Sequence, residues 1–80
     1  MRARVYVTLK PGVLDPAGKA VESSLHSLGF PDAGDVRLGK FVELEVNAAD
    51  NAAAKARVEQ MAAKLLANMV VENYRVEILP

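Results

Sequence analysis

Apolar and polar positions alternate from Arg2 to Lys10, with Ala3, Val5, Val7 and Leu9 in one set and Arg4, Tyr6, Thr8 and Lys10 in the other. A period of two predicts a half-buried strand. The run Pro11-Gly12-Val13-Leu14-Asp15-Pro16 then predicts a turn and a helix start. Asp15 has the side chain to cap orphan amides, and Pro16 suits the first helical position, where no N–H is needed. Ala17, Val21, Leu25 and Leu28 follow at helical spacing. Gly29 predicts a left-handed C-terminal cap, with Phe30 placed to fold back on the helix end.

Between Asp35 and Val46 the even positions Val36, Leu38, Val42, Leu44 and Val46 are apolar, and the alternation lapses at Lys40. One long strand fits this, and so does a hairpin with its turn at Leu38-Gly39-Lys40. The hairpin is favoured, because a bend folds the segment back to complete a compact sheet. Residues 47–51 offer helix caps. Ala54, Val58, Met61, Leu65 and Leu66 then form an apolar stripe, with Lys55, Arg57, Glu59 and Lys64 left for water. Asn68 is placed to end that helix. From Val70 to Leu79 strand alternation returns, setting Tyr74, Val76 and Ile78 against Arg75 and Glu77. The order βαββαβ predicts an α+β fold: one domain over residues 1–80, a small two-layer sandwich with two helices on one face of an antiparallel sheet. Its second face, carrying Tyr6, Arg75 and Glu77, has the mixed polarity of a subunit contact and is expected to be buried by oligomerisation.

Size sharpens that expectation. An 80-residue chain buries only about 60% of the surface its unfolded form exposes, so its monomer is marginal. With no cysteine and one histidine, His26, neither disulfides nor a metal centre supplements the core. Self-association, to a dimer or tetramer, is the remaining source of buried area. Ten basic and ten acidic residues cancel, which argues against nucleic-acid or membrane-surface partners. The N-terminus has no signal-peptide pattern and no segment has the length of a membrane span, so a cytoplasmic location is expected.

Candidate chemistry is sparse. Ser23, Ser24 and Ser27 lie near His26 on the first predicted helix, but residues one or two apart do not face each other there. Asp15, Asp32, Asp35 and Asp50 sit at turns or helix starts, where capping accounts for them. The five glycines form no dinucleotide or Walker loop. No catalytic, metal or cofactor-binding set emerges. The compact basic feature is Arg37 with Gly39 and Lys40, whose two side chains can leave a turn together toward a phosphate or a partner's carboxylates. Lys40 also breaks an apolar register, a local conflict of the kind found at functional positions. Tyr6 and Phe41 sit where an RNA-recognition motif carries stacking aromatics, yet the chain has only four aromatics and no net charge. The loop Lys10-Pro11-Gly12-Val13-Leu14 resembles that of ACT-type regulatory domains, which makes a small-ligand-binding module the alternative reading.

A longer resemblance overrides both. Leu9 through Val21 follows the PurS family signature L-K-x-G-V-L-D-P-x-G-x-A-V, and the likeness continues through Leu28-Gly29-Phe30, Val36 to Lys40, Glu43-Leu44 and Lys64 to Tyr74. Met69 departs from it, standing where the family more often has proline. The resemblance implies a subunit without chemistry of its own, in an assembly that converts formylglycinamide ribonucleotide to its amidine during purine biosynthesis. Its implied partners are a glutaminase subunit, PurQ, and a synthetase subunit, PurL. ATP, Mg and glutamine are used by that complex, with no cofactor on this chain. The residues expected to contribute to assembly are Leu14, Asp15, Pro16, Arg37, Gly39 and Lys40.

Overall fold

A computed structural model describes residues 1–80. Its strands are β1 (Arg2–Leu9), β2 (Gly39–Glu45) and β3 (Glu72–Leu79), and its helices α1 (Pro16–Ser27) and α2 (Asn51–Met61), the latter continued by a π-helical turn, Ala62–Leu66. The sheet is antiparallel in the order β2-β1-β3, with Val5 opposite Val42 on one side and Val76 on the other. The α+β class and the antiparallel sheet are as the alternation predicts.

The core lies between the sheet and α2. Ala3, Val5 and Val7 are fully buried against Ala54, Val58 and Ala62, with Val42, Leu44, Tyr74, Val76 and Ile78 packed around them. Full burial stabilises each of these valines by about 1.5–3 kcal/mol. Both helix starts are capped as their sequences suggest: Asp15 Oδ1 accepts from the Gly18 amide at 2.9 Å, and Asp50 Oδ1 from Ala53 at 2.8 Å. Gly29 has the left-handed φ of 99°. The Phe30 amide donates back to the Leu25 carbonyl at 3.0 Å, closing α1 with the expected glycine-based cap.

Three details differ from expectation. Residues 35–46 yield one strand rather than two, because the donors ahead of Gly39 are taken by side chains of the α1 segment. The Val36 amide donates to Glu22 Oε1 at 3.2 Å and the Leu38 amide to Asp15 Oδ2 at 2.8 Å, so neither is free for a strand ladder. Secondly, α1 contributes nothing to the core between sheet and α2; within it only Gly18 is buried, and the helix packs on residues 33–38 as an arm. Thirdly, the π-helical turn alters the stripe on α2. Ala62 takes a buried place, and Leu65, expected in the core, is 83% exposed. A turn closed from the Ala67 amide to the Ala62 carbonyl rotates each following side chain back from its α-helical position.

Candidate functional site

β1 ends, and β2 and β3 begin, at the same end of the sheet, and this end gathers all six residues singled out for assembly. The loop after β1 is tied to the start of β3 by the Lys10 amide donating to the Val71 carbonyl at 2.8 Å. Arg37 joins from a third segment, its Nη2 donating to the Lys10 carbonyl at 3.2 Å. Leu14 and Pro16 stand exposed beside them.

Asp15 is buried, and its two oxygens are both spent on backbone amides. Those bonds, from Gly18 foremost and then Leu38, hold its carboxyl below its ordinary value of 3.8, against the opposing effect of burial and with help from Arg37. The residue therefore joins the start of α1 to the segment carrying Arg37. Glu22 acts alike about two turns on: the Val36 amide bond lowers its carboxyl from an ordinary 4.5, against burial and with Lys19 and His26 assisting. His26 reaches the Ala33 carbonyl through Nε2 at 2.6 Å, which closes the far end of the arm.

Arg37 and Lys40 do not leave together, since Gly39 forms no turn between them. Gly39 is the first residue of β2, opposite Thr8, and a Cβ there would strike the Val7 carbonyl oxygen. Its role is close approach of two strands. Lys40 lies opposite Val7 on the α2 side of the sheet, where Nζ donates to the Leu66 carbonyl at 3.1 Å and sits 3.7 Å from Glu72. It caps the π-helical turn. The break in apolar register thus has a structural cause, and Arg37 is the side chain left facing outward.

A cleft of about 480 Å³ opens beside Arg37, lined by Thr8, Leu9, Pro11, Gly12, Asp35 and Arg37. Gly12 and Asp35 both have left-handed φ, 86° and 52°. Around this end are four exposed apolar side chains outside the set of candidate assembly residues: Leu38, Leu65, Met69 and Val70. Leu38 fits the even apolar register, so nothing in the sequence separated it from the core positions. For Met69 and Val70 the available signal was two large apolar residues just beyond Asn68, the predicted helix end.

The sheet face away from α2 is mixed, as Tyr6, Arg75 and Glu77 suggested. Arg2 pairs with Glu45 at 2.9 Å, and Arg4 with Glu43 at 3.2 Å and Glu77 at 3.5 Å. Tyr6 is flanked by Phe41, with ring centroids 5.2 Å apart, and by the Arg75 guanidinium, 4.1 Å from its ring centre. Three carboxylates here oppose a phosphate backbone, and the Tyr6 ring that would stack a base is covered. No three His, Cys, Asp or Glu side chains are grouped to hold a metal ion, and no helix is long and apolar enough to cross a membrane.

Comparison with known proteins converges on one family. A family profile described as "PurS: Phosphoribosylformylglycinamidine (FGAM) synthase" matches residues 2–80. A Synechocystis protein, phosphoribosylformylglycinamidine synthase subunit PurS, is 52% identical over 75 residues, 94% of this chain and 75% of its own. The solved structure of Bacillus subtilis PurS superposes with a TM-score of 0.86 at 44% identity, covering 99% of this chain and 98% of that one. Methanocaldococcus jannaschii PurS, described as one of the subunits of formylglycinamide ribonucleotide amidotransferase in the purine biosynthetic pathway, gives 0.84 at 34% identity, over 95% and 92%. Nearly the whole chain, in sequence and in fold, is therefore shared, and it belongs to the PurS family of phosphoribosylformylglycinamidine synthase.

Proposed function

We propose that this chain is the non-catalytic bridging subunit of phosphoribosylformylglycinamidine synthase, self-associated and joining the glutaminase subunit (PurQ) to the synthetase subunit (PurL) in the cytoplasm. Glutamine, ATP and Mg act on those partners. Ammonia released from glutamine attacks the amide carbon of formylglycinamide ribonucleotide once ATP has activated its oxygen, giving the amidine, ADP and phosphate. Ammonia is lost to water and protons in transit, so a subunit that seals the junction between the two sites raises the yield per glutamine.

The observation that carries this reading is surplus surface. The chain exposes 5490 Å², about 800 Å² more than a folded monomer of its mass. Its radius of gyration is 15.8 Å, against about 12 Å for a compact 80-residue domain. A standard interface removes about 800 Å² from each partner, so one association accounts for the surplus. Most of the exposed apolar residues fall in two areas, the α1 arm with Val21, Leu28 and Phe30, and the end of the sheet with Leu14, Leu38, Leu65, Met69 and Val70. Two separate apolar areas suit a protein with more than one neighbour.

Glutamine-dependent amidine synthesis by separately purified glutaminase and synthetase subunits, with and without this chain, tests the proposal. Turnover that requires the chain, with ammonia-driven turnover largely independent of it, is the expected result. Equal glutamine-driven rates in both mixtures would remove the bridging role.

A further inference from the structure

We infer that the Arg37 cleft is a socket for an acidic side chain of another subunit of the synthase, an inference that rests on the assembly reading above. Arg37 has one guanidinium hydrogen bond within the chain, Nη2 to the Lys10 carbonyl at 3.2 Å, and no carboxylate within salt-bridge distance. That bond fixes the plane of the group and leaves the rest of its donor fork open. The side chain is further positioned by its neighbour, since the Leu38 amide is held at 2.8 Å by the buried Asp15. An arginine oriented by its own chain and with no carboxylate in salt-bridge contact is pre-organised for one, which it binds through two parallel N–H donors.

The rest of the lining fits the same occupant. Asp35 shares the cleft with Arg37, yet the two opposite charges do not pair with each other. Asp35 is a like charge to the incoming carboxylate and limits its affinity, while its oxygens are left to accept from an amide or a basic group beside it. Gly12 contributes backbone without a side chain, with nothing within 4 Å of where a Cβ would stand, so an inserted group has room above it. Leu14 and Leu38, 72% and 43% exposed, supply apolar surface nearby. An arginine anchor with apolar neighbours is the composition of an interface hot spot. A free amino acid shares the carboxylate chemistry but fits less well. Small-ligand sites are mostly apolar and enclose most of their ligand, whereas five of the six residues lining this cleft are not hydrophobic.

Calorimetric titration of the folded chain into the glutaminase and synthetase subunits tests the socket, using wild type, Arg37→Ala, Arg37→Lys and Asp35→Asn. Arg37→Ala is expected to raise Kd at least ~10-fold and to flatten its salt dependence, with Arg37→Lys recovering only a minor part because a point charge replaces a fork. Asp35→Asn, which removes a like charge beside the incoming carboxylate, should lower Kd. Circular dichroism and melting temperature identify any variant whose loss is one of folding, and for such a variant the salt dependence of the conservative Arg37→Lys decides. Wild-type binding that Arg37→Ala leaves within about twofold would overturn the socket alone. No binding by the wild type would overturn the assembly reading and the socket with it. Stabilisation of the isolated chain by ~10 mM glutamine, lost in Arg37→Ala, would assign the cleft to a free amino acid and also overturn the inference.

Discussion

Asp15 shows how one side chain sets the geometry of a surface it does not itself reach. Its carboxylate caps α1 through Gly18 and anchors Leu38, 23 residues away. Asp15→Ala removes both acceptors and is expected to lower Tm by about 5–10 °C, measured by thermal denaturation. Asp15→Asn keeps an acceptor and should cost less. The pH dependence has a definite sign. Asp15 and Glu22 titrate below their ordinary 3.8 and 4.5 when folded, so the unfolded chain binds more protons in acid. Their contribution is full above about pH 5 and is lost as pH falls through the depressed values. Tm should accordingly fall between about pH 5 and 2, and more gently in Asp15→Asn with Glu22→Gln. Gly39 carries a second residue-scale prediction. Gly39→Ala places a methyl against the Val7 carbonyl and should destabilise by about 2 kcal/mol or more in chemical denaturation, where a turn glycine of ordinary φ would tolerate alanine.

At the scale of elements, what the sequence made legible was whatever local periodicity controls. β1, β3, both N-terminal caps and the Gly29 cap follow from neighbours within a few residues. The fate of residues 36–38 does not, because it turns on carboxylates 14 and 23 residues distant claiming amides that alternation assigned to a ladder. Lys40 breaks the apolar register for a similar reason: the carbonyl it caps belongs to Leu66, 26 residues on. All six candidate residues do share one end of the sheet, yet Asp15, Gly39 and Lys40 build that end, while Leu14, Pro16 and Arg37 present it. The π-helical turn gives a direct check on the corrected stripe of α2. Val58→Ala should cost about 2 kcal/mol or more by opening a cavity beneath the sheet. Leu65→Ser should stay within about 0.5 kcal/mol, contrary to what helical periodicity alone demands.

On the scale of the whole molecule, the chain is built as one well-covered sheet face with an arm. Extents of 49 × 27 × 14 Å describe a slab, thin because α2 alone forms the second layer and long because α1 extends past the sheet. Such a shape leaves α1 held to residues 33–38 largely by hydrogen bonds to Asp15, Glu22 and His26, with its apolar side chains still facing water. An arm of that kind has apolar surface for a neighbour to bury, and the surplus area is that of a single standard contact. If a second copy supplies it, the contact runs through Leu28 and Phe30, which are 73% and 54% exposed and make no intramolecular core. Leu28→Asp with Phe30→Ser is therefore expected to shift the solution mass, measured by light scattering at micromolar concentration, from a multiple of 8.6 kDa toward 8.6 kDa itself. Secondary structure by circular dichroism should be retained, because the core between sheet and α2 is untouched. An oligomer mass unchanged by this pair would move the self-association surface away from the arm, to the charged sheet face or a strand edge. A wild type already monomeric would instead leave the arm for the other subunits of the synthase, and the same double substitution would then weaken that assembly.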